Sequence, residues 1–164
     1  DDRLQGVLVS GAHDYKPEAD EGTLVDNALA NPIGSPRLSE LAKGKKTCTI
    51  ISSDHTRPVP SHIIMPRLLK ELRAGNPDIQ ITILIATGMH RLTTKDELIA
   101  KYGKEIAENE HFVLHDARKD EDMVSIGTLP SGGECLVNKV AINTDLLVAE
   151  GFIEPHFFAG FSGV

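Results

Sequence analysis

The hydrophobic residues of the chain alternate between two patterns. Segment 47–53 is apolar and rich in β-branched residues, and segment 79–88 is apolar at nearly every position, as in strands buried on both faces of a parallel sheet. Between them, segment 59–77 carries aliphatic residues at helical spacing, with Pro66 expected to kink or restart the helix. The pattern therefore predicts a strand, a helix and a second strand in succession.

Further elements are predicted on both sides of this unit. The patterns predict strands over 4–10, 111–117 and 145–153, helices over 21–31, 38–44 and 93–103, and a hairpin over 125–143. Strands that alternate with helices are typical of an α/β fold. We expect a three-layer, Rossmann-like domain with a mostly parallel sheet and helices on both faces.

The amino-acid composition restricts the number of domains, the type of core and the class of partner. A length of 164 residues favours a single domain, 1–164, and an aromatic content of 4% without Trp requires an aliphatic core. The net charge of −7 argues against a nucleic-acid partner but not against an anionic small molecule. No apolar run approaches the roughly 18 residues of a membrane span. Cys48 and Cys135 lie far apart, which favours free thiols and a cytoplasmic location.

The ends of the sequence suggest a longer natural protein. The chain starts without Met, and it ends on the apolar segment 157–164. We expect the natural chain to continue past Val164.

Three segments with unusual polar residues follow predicted strands, at 52–57, 86–91 and 151–156. In parallel α/β sheets the ligand site lies beyond the carboxyl ends of the strands. The sequence therefore predicts that these three segments form one site.

The first segment, Ser-Ser-Asp-His-Thr-Arg, leads from a strand into a helix. A helix N-terminus and the planar guanidinium of Arg57 both suit a carboxylate or phosphate. Asp54 could hold Arg57 or orient a nearby histidine. A capped helix start with solvated charges explains the same residues, because Ser, Thr and Asp are common caps.

The other two segments each carry a histidine directly after a strand. His90 and His156 suit general acid–base catalysis, although each could also be a structural histidine. Val164 stands where a nucleophile elbow requires Gly, which argues against a serine hydrolase. His111 and His115 share a strand face, but no clear third metal ligand lies near them.

Taken together, "SDHTRPVP", "ATGMHR" and "GFIEPHFFAGFSG" resemble the amino-terminal domain of the nickel-pincer lactate racemase family. The first contains a D-x-x-R motif, Asp54 and Arg57, and the second a G-x-H-R motif, Gly88, His90 and Arg91. The third, Glu154 to Gly163, is the longest and most specific. The chain departs from the family at Val164, where the family has a further glycine.

The resemblance implies a racemase or epimerase of a 2-hydroxy acid, lactate or a relative. The reaction would proceed by reversible hydride transfer to a nickel-pincer nucleotide, a nickel-bound pyridinium dithio-mononucleotide. His90 and His156 would be the acid–base residues on opposite faces of the substrate. The cofactor would contact Asp54, His55, Thr56 and Arg57, and Arg57 would also bind substrate, whereas His55 is not expected to be a catalytic base.

The resemblance also implies that this chain is incomplete as an enzyme. The lysine that tethers the cofactor and the histidine that ligates nickel are expected beyond residue 164. We therefore expect no metal ligand in this chain, no bound cofactor, and no activity without a carboxyl-terminal domain. The chain would be the amino-terminal catalytic and cofactor-binding domain of a two-domain protein.

Two other functions fit the residues. One is a non-catalytic nucleotide- or phosphate-binding α/β module, although no G-x-G-x-x-G or P-loop motif is present. The other is a non-catalytic domain for assembly or cofactor handling.

Overall fold

A computed structural model describes residues 3, 5–7, 9 and 11–163, without the side chains of Ala12 and His13. The strand predicted over 4–10 is not formed at residues 5–7 and 9, which are irregular. Its other positions, 4, 8 and 10, lie outside the described residues.

The described chain folds into an α/β structure with three sheets. The strands are β1 (Thr47–Ser53), β2 (Gln80–Ala86), β3 (His111–Leu114), β4 (Met123–Thr128), β5 (Glu134–Asn138), β6 (Leu146–Ala149), β7 (Glu154–His156) and β8 (Gly160–Ser162). The helices are α1 (Glu21–Ala30), α2 (Leu38–Leu41), α3 (Ser61–Gly75), α4 (Lys95–Tyr102), α5 (Lys104–Asn109) and α6 (Lys139–Ile142). Two 3₁₀ helices cover Gly11–Asp14 and Asp120–Asp122.

The main sheet is parallel, in the order β3-β2-β1-β6. Its register brings Ser53, the last residue of β1, beside Ala86, the last residue of β2, and Ile51 beside Ala149 of β6. The carboxyl ends of the three strands therefore reach the same edge. Strands β1, β2 and β3 follow one another in one direction across the sheet, whereas β6 lies on the other side of β1. In α/β sheets a crevice for a ligand forms where the direction of the connections changes in this way.

The core lies between one face of this sheet and helices α3 and α4. Residues with no exposed surface include Ile50 of β1, Ile83 of β2, and Met65 and Leu72 of α3. Burial of each such side chain stabilises the fold by roughly 1.5–3 kcal/mol relative to exposure. The predicted aliphatic core is confirmed.

The opposite face of the sheet carries the small helix α6. The Thr49 hydroxyl of β1 donates to the carbonyl of Val140 in α6 at 3.0 Å. Helices thus lie on both faces, as predicted, but the two layers differ greatly in size. The antiparallel hairpin β4–β5 directly precedes α6, and Asn138 caps that helix by accepting from Val140 N at 2.9 Å.

Local signals explain where the helices start and end. Thr94 and Glu97 form a capping box at the start of α4, and Gly103, with φ of +86°, ends it. Helix α3 runs through Pro66 without interruption, so the predicted restart is not found. Gly75 is the last residue of α3, and a Cβ there would overlap the carbonyl oxygen of Ser39 in α2.

Several predicted elements have different bounds in the structure. Of the strand predicted over 145–153, only Leu146–Ala149 forms a strand, β6. The hairpin predicted to reach residue 143 ends at Asn138, because helix α6 follows. Helix α5 was not predicted, and the segment after residue 153 folds into the hairpin β7–β8.

Both cysteines are free, Cys48 in the core and Cys135 partly exposed in β5. Burial raises the pKa of the Cys48 thiol to about 12, so it is protonated at neutral pH. Within residues 3–163 as described, no helix is both long enough and apolar enough to cross a membrane.

Candidate active site

An open cleft of about 600 Å³ lies at the carboxyl edge of the main sheet. All three predicted segments contribute to its lining, with Asp54 and Arg57 after β1, residues 87–90 after β2, and residues 150–152 and 154 after β6. The volume is in the range of small-molecule sites. The sheet therefore brings the three segments together as predicted.

Asp54 is the buried acid of this cleft, with 2% of its side chain exposed. Its Oδ1 accepts from the backbone N of Thr56 at 3.0 Å and from the Thr56 hydroxyl at 2.6 Å. Its Oδ2 lies 2.6 Å from Nδ1 of His90. Burial alone would raise the pKa of Asp54, but the hydrogen bonds from Thr56 and His90 outweigh burial and lower it. Asp54 is therefore a carboxylate at neutral pH.

The ring of His90 is oriented by Asp54. A carboxylate can only accept, so Nδ1 of His90 carries a proton, and Nε2 is the acceptor when the ring is neutral. The His90 side chain is 48% exposed, and the residue lines the cleft. The sequence left open whether Asp54 holds Arg57 or orients a histidine. In the structure the Asp54 carboxylate contacts His90 and not Arg57.

The turn that carries His90 is fixed at its start by Thr87. The backbone N of His90 donates to the carbonyl of Thr87 at 3.0 Å, and Gly88 adopts a φ of +55°. The buried Thr87 hydroxyl donates to the carbonyl of His115, which follows β3. His115 itself contacts Asn138 at 3.1 Å through Nδ1, so it has a structural partner.

The two arginines of the motifs differ in their surroundings. Arg91 binds Glu97 of α4 bidentately, at 2.9 and 2.5 Å, and this pair lowers the pKa of Glu97 and raises that of Arg91. Arg57 is exposed and lines the cleft, and its guanidinium forms no hydrogen bond or ion pair with the described residues. Arg57 is therefore the arginine that can bind an anion in the cleft.

The two other residues predicted to contact a cofactor, His55 and Thr56, are not part of the cleft lining. Nδ1 of His55 lies 3.1 Å from the Thr93 hydroxyl, and its Nε2 lies 3.8 Å from Glu97. The Thr56 hydroxyl donates to Asp54 and so stabilises its carboxylate.

His156 lies on the hairpin β7–β8, whose first residue, Glu154, lines the cleft. Nδ1 of His156 accepts from the backbone N of Phe158 at 3.4 Å and of Ala159 at 3.3 Å. In the neutral ring the proton therefore resides on Nε2. His156 itself is not among the residues that line the cleft.

Two residues near the cleft were missed by the sequence-based prediction. Glu150 is 6% exposed and accepts from the hydroxyls of Ser52 at 2.6 Å and Ser61 at 2.5 Å. It joins the end of β1 to the start of α3. The sequence feature that could have indicated Glu150 is the position of an acidic residue directly after the apolar strand β6. Lys101, the other residue, contacts the loop after β1 and had no such signal.

The described residues contain no group of three or more His, Cys, Asp or Glu side chains that could hold a metal ion. The cleft does offer Arg57, whose guanidinium has no partner among the described residues, and open space beside Gly88, where an added Cβ would meet no atom within 4 Å. These features fit the organic and anionic part of a nucleotide cofactor. A metal ion held by three or more such side chains would need ligands outside the described residues.

The fold and the cleft define an α/β domain with a small-molecule site at the reversal point of a parallel sheet. The family described as the lactate racemase N-terminal domain matches residues 1–163, and the chain belongs to this family.

Relatives of known function agree with this assignment. The chain is 59% identical to a lactate racemase from Thermoanaerobacterium thermosaccharolyticum and 57% identical to one from Lactiplantibacillus plantarum, in each case over 163 residues. These alignments cover 99% of the chain but only 38% of each relative.

Solved structures support the fold. The lactate racemase apoprotein from T. thermosaccharolyticum matches with a TM-score of 0.84 and 60% identity, over 86% of this chain and 34% of that one. A protein from Thermotoga maritima matches with a TM-score of 0.64 and 25% identity, over 76% of this chain and 34% of that one. The predicted α/β fold class is confirmed.

Proposed function

We propose that the full-length protein interconverts the enantiomers of a small 2-hydroxy acid, lactate or a relative, and that this chain supplies its acid–base residues. The observation that carries the proposal is the contact of 2.6 Å between the buried Asp54 carboxylate and His90 in the cleft. It occurs in a chain that is 59% identical to a lactate racemase.

His90 is the proposed base on one face of the substrate. Because Asp54 holds the proton of His90 on Nδ1, Nε2 can take the proton of the substrate hydroxyl. The carboxylate then stabilises the imidazolium that forms. When the reaction reverses, the same Nε2 returns the proton to the oxygen.

His156 is the proposed residue for the opposite face. Its Nδ1 accepts from two backbone N–H groups, so the neutral ring presents an Nε2–H. To supply a proton to the oxygen from this face, the ring must first be an imidazolium, with Nδ1 also protonated and no longer accepting from these backbone groups. The imidazolium then gives its Nε2 proton to the oxygen and becomes neutral.

Arg57 is the proposed anion-binding residue. Its guanidinium, which has no partner within the part of the chain that the structure describes, can bind the carboxylate of the substrate or the phosphate of a nucleotide bidentately. The cleft, Arg57 and the turn at Gly88 would hold a nickel-pincer nucleotide, which supplies a hydride acceptor when bound. As the resemblance to the family implies, the histidine that ligates nickel would lie beyond residue 164.

The test is a chiral assay on the full-length protein loaded with nickel cofactor. Pure L-lactate and pure D-lactate should each reach an equal mixture, as measured by chiral chromatography, and cofactor-free protein should leave both unchanged. Lactate labelled with deuterium at C2 should keep its label, because the hydrogen moves as a hydride and does not exchange with water. Failure to interconvert lactate or any member of a panel of 2-hydroxy acids would refute the function, and loss of the label would refute the hydride route.

A further inference from the structure

Helix α4 contacts both of the loops that carry the first two motifs. Glu97, in its first turn, holds Arg91 of the loop after β2. Lys101, in its last turn, contacts the loop after β1, which carries Asp54 and Arg57. A single rigid element therefore fixes two loops whose side chains meet in the cleft.

The contacts of Lys101 are directed at the backbone of the first loop. Its Nζ donates to the carbonyl of Asp54 at 3.1 Å and to the carbonyl of Arg57 at 3.2 Å. A third contact, at 3.3 Å, joins it to the hydroxyl of Ser53. An ammonium has three donors, and all three are directed at the last residue of β1 and the loop that follows it. Lys101 thus binds the backbone at both the first and the last residue of the Asp54–Arg57 turn.

The neighbouring residue of α4 strengthens this attachment. The Tyr102 hydroxyl lies 2.6 Å from the hydroxyl of Ser52, the residue before Ser53, and Ser52 in turn donates to the buried Glu150. Burial raises the pKa of Tyr102, so its hydroxyl remains neutral. The end of β1 is therefore fixed by Tyr102 and Glu150, and the loop beyond it by Lys101.

We propose that Lys101 is a positioning residue for the acid–base site, which holds the loop of Asp54 and Arg57 so that Asp54 reaches Nδ1 of His90. The proposal rests on the function proposed above. Lys101 does not touch the reacting atoms and acts through the two backbone carbonyls. Because displacement of a catalytic group by about 1 Å can cost roughly 100-fold in rate, such an anchor is expected to affect kcat.

The first experiment measures the loop itself. Full-length Lys101→Met and wild-type protein are compared by hydrogen–deuterium exchange, with Lys95→Met as the control, since Lys95 is an exposed lysine at the start of the same helix. Exchange in segment 53–60 should become about tenfold faster in Lys101→Met, while segment 80–86 and the control stay unchanged. Unchanged exchange in segment 53–60, or faster exchange throughout the chain, would overturn the proposal.

The second experiment separates positioning from stability. In the cofactor-loaded enzyme, Lys101→Met should lower kcat by about 10- to 100-fold, and Lys101→Arg, which keeps the charged donors, should recover much of that loss. The double variant Lys101→Met/Asp54→Asn should be no slower than Asp54→Asn alone, because both changes act through one acid. Additive losses would show that Lys101 does not act through Asp54.

These results also separate the two proposals. If segment 53–60 loosens but the wild-type enzyme racemises no 2-hydroxy acid, the anchoring role of Lys101 stands and the proposed reaction fails. If the wild-type enzyme is active and Lys101→Met keeps both its loop protection and its kcat, the anchoring role fails alone.

Discussion

Asp54 is buried, and its carboxylate is satisfied by three contacts, two from Thr56 and one from His90. Burial of a charged carboxylate is costly unless such donors compensate for the lost water. This explains how the polar loop after β1 can hold a buried, ionised Asp54 against Nδ1 of His90 in the cleft.

The ionisation of Asp54 predicts a pH-dependent contribution to stability. Its pKa in the folded protein lies below the ordinary value of 3.8, so the contribution is fully present above about pH 4 and is lost as pH falls further. Full-length wild-type protein should therefore unfold at a higher temperature than Asp54→Asn at pH 7. The difference should shrink as pH falls below 4, as measured by circular dichroism.

The control for this measurement is Asp78→Asn, because Asp78 is exposed at the turn before β2. It should melt like wild type across the same pH range. A gap between wild type and Asp54→Asn that is constant down to the lowest pH would contradict the depressed pKa.

The residues of the site could be predicted only in part from the sequence. Asp54 and His90 stood out because they follow apolar strands, but their contact depends on the distance between two loops that are 36 residues apart. Lys101 had no signal, because a lysine in the last turn of a helix is also explained by the helix dipole. Its role becomes visible only when the loop after β1 is folded against α4.

At the scale of elements, the contact between α2 and α3 depends on the absence of a side chain at Gly75. An added Cβ would overlap the carbonyl oxygen of Ser39 and lie 2.9 Å from the Cβ of Ala42. No local pattern in the sequence indicates this close approach of the two helices, because it is a tertiary feature.

We predict that Gly75→Ala lowers the free energy of unfolding by about 1–3 kcal/mol, because α2 must move to admit the methyl group. Alanine favours helices over glycine by roughly 0.5–1 kcal/mol, so any loss must come from the contact with α2. Urea unfolding of the full-length variant measures the change.

Gly133→Ala is the matched control for this substitution. An added Cβ at Gly133 would meet its nearest atom, the Ser131 hydroxyl, at 3.8 Å, which is ordinary contact. A Gly75→Ala variant as stable as Gly133→Ala would show that α2 and α3 do not pack as closely as described.

The elements that the sequence predicted are those with strong periodic signals. Strands β1 and β2 and helix α3 are long and apolar on their buried faces, so tertiary contacts agree with their local patterns. Helices α5 and α6 have six and four residues, too few to show a helical period. Strand β7 has three residues and contains Pro155, which weakens any strand signal.

For the molecule as a whole, sheet order determines where the chemistry is concentrated. The order β3-β2-β1-β6 brings the ends of β1, β2 and β6 to one edge, and the three motif segments meet at a single cleft there. The hairpin β7–β8 adds His156 beside exposed aromatic side chains, with Phe157 93% and Phe158 79% exposed. Neither Phe157 nor Phe158 is among the residues that line the cleft.

The most direct test of the proposed two-histidine site is the rate of lactate interconversion in single histidine variants of the full-length, cofactor-loaded protein. His90→Ala and His156→Ala should each lower this rate by at least about 100-fold, because a positioned acid–base group contributes roughly 10²–10⁴. His111→Ala, which removes an exposed histidine at the start of β3, should remain close to wild type. Rates near wild type in both His90→Ala and His156→Ala would contradict the assignment.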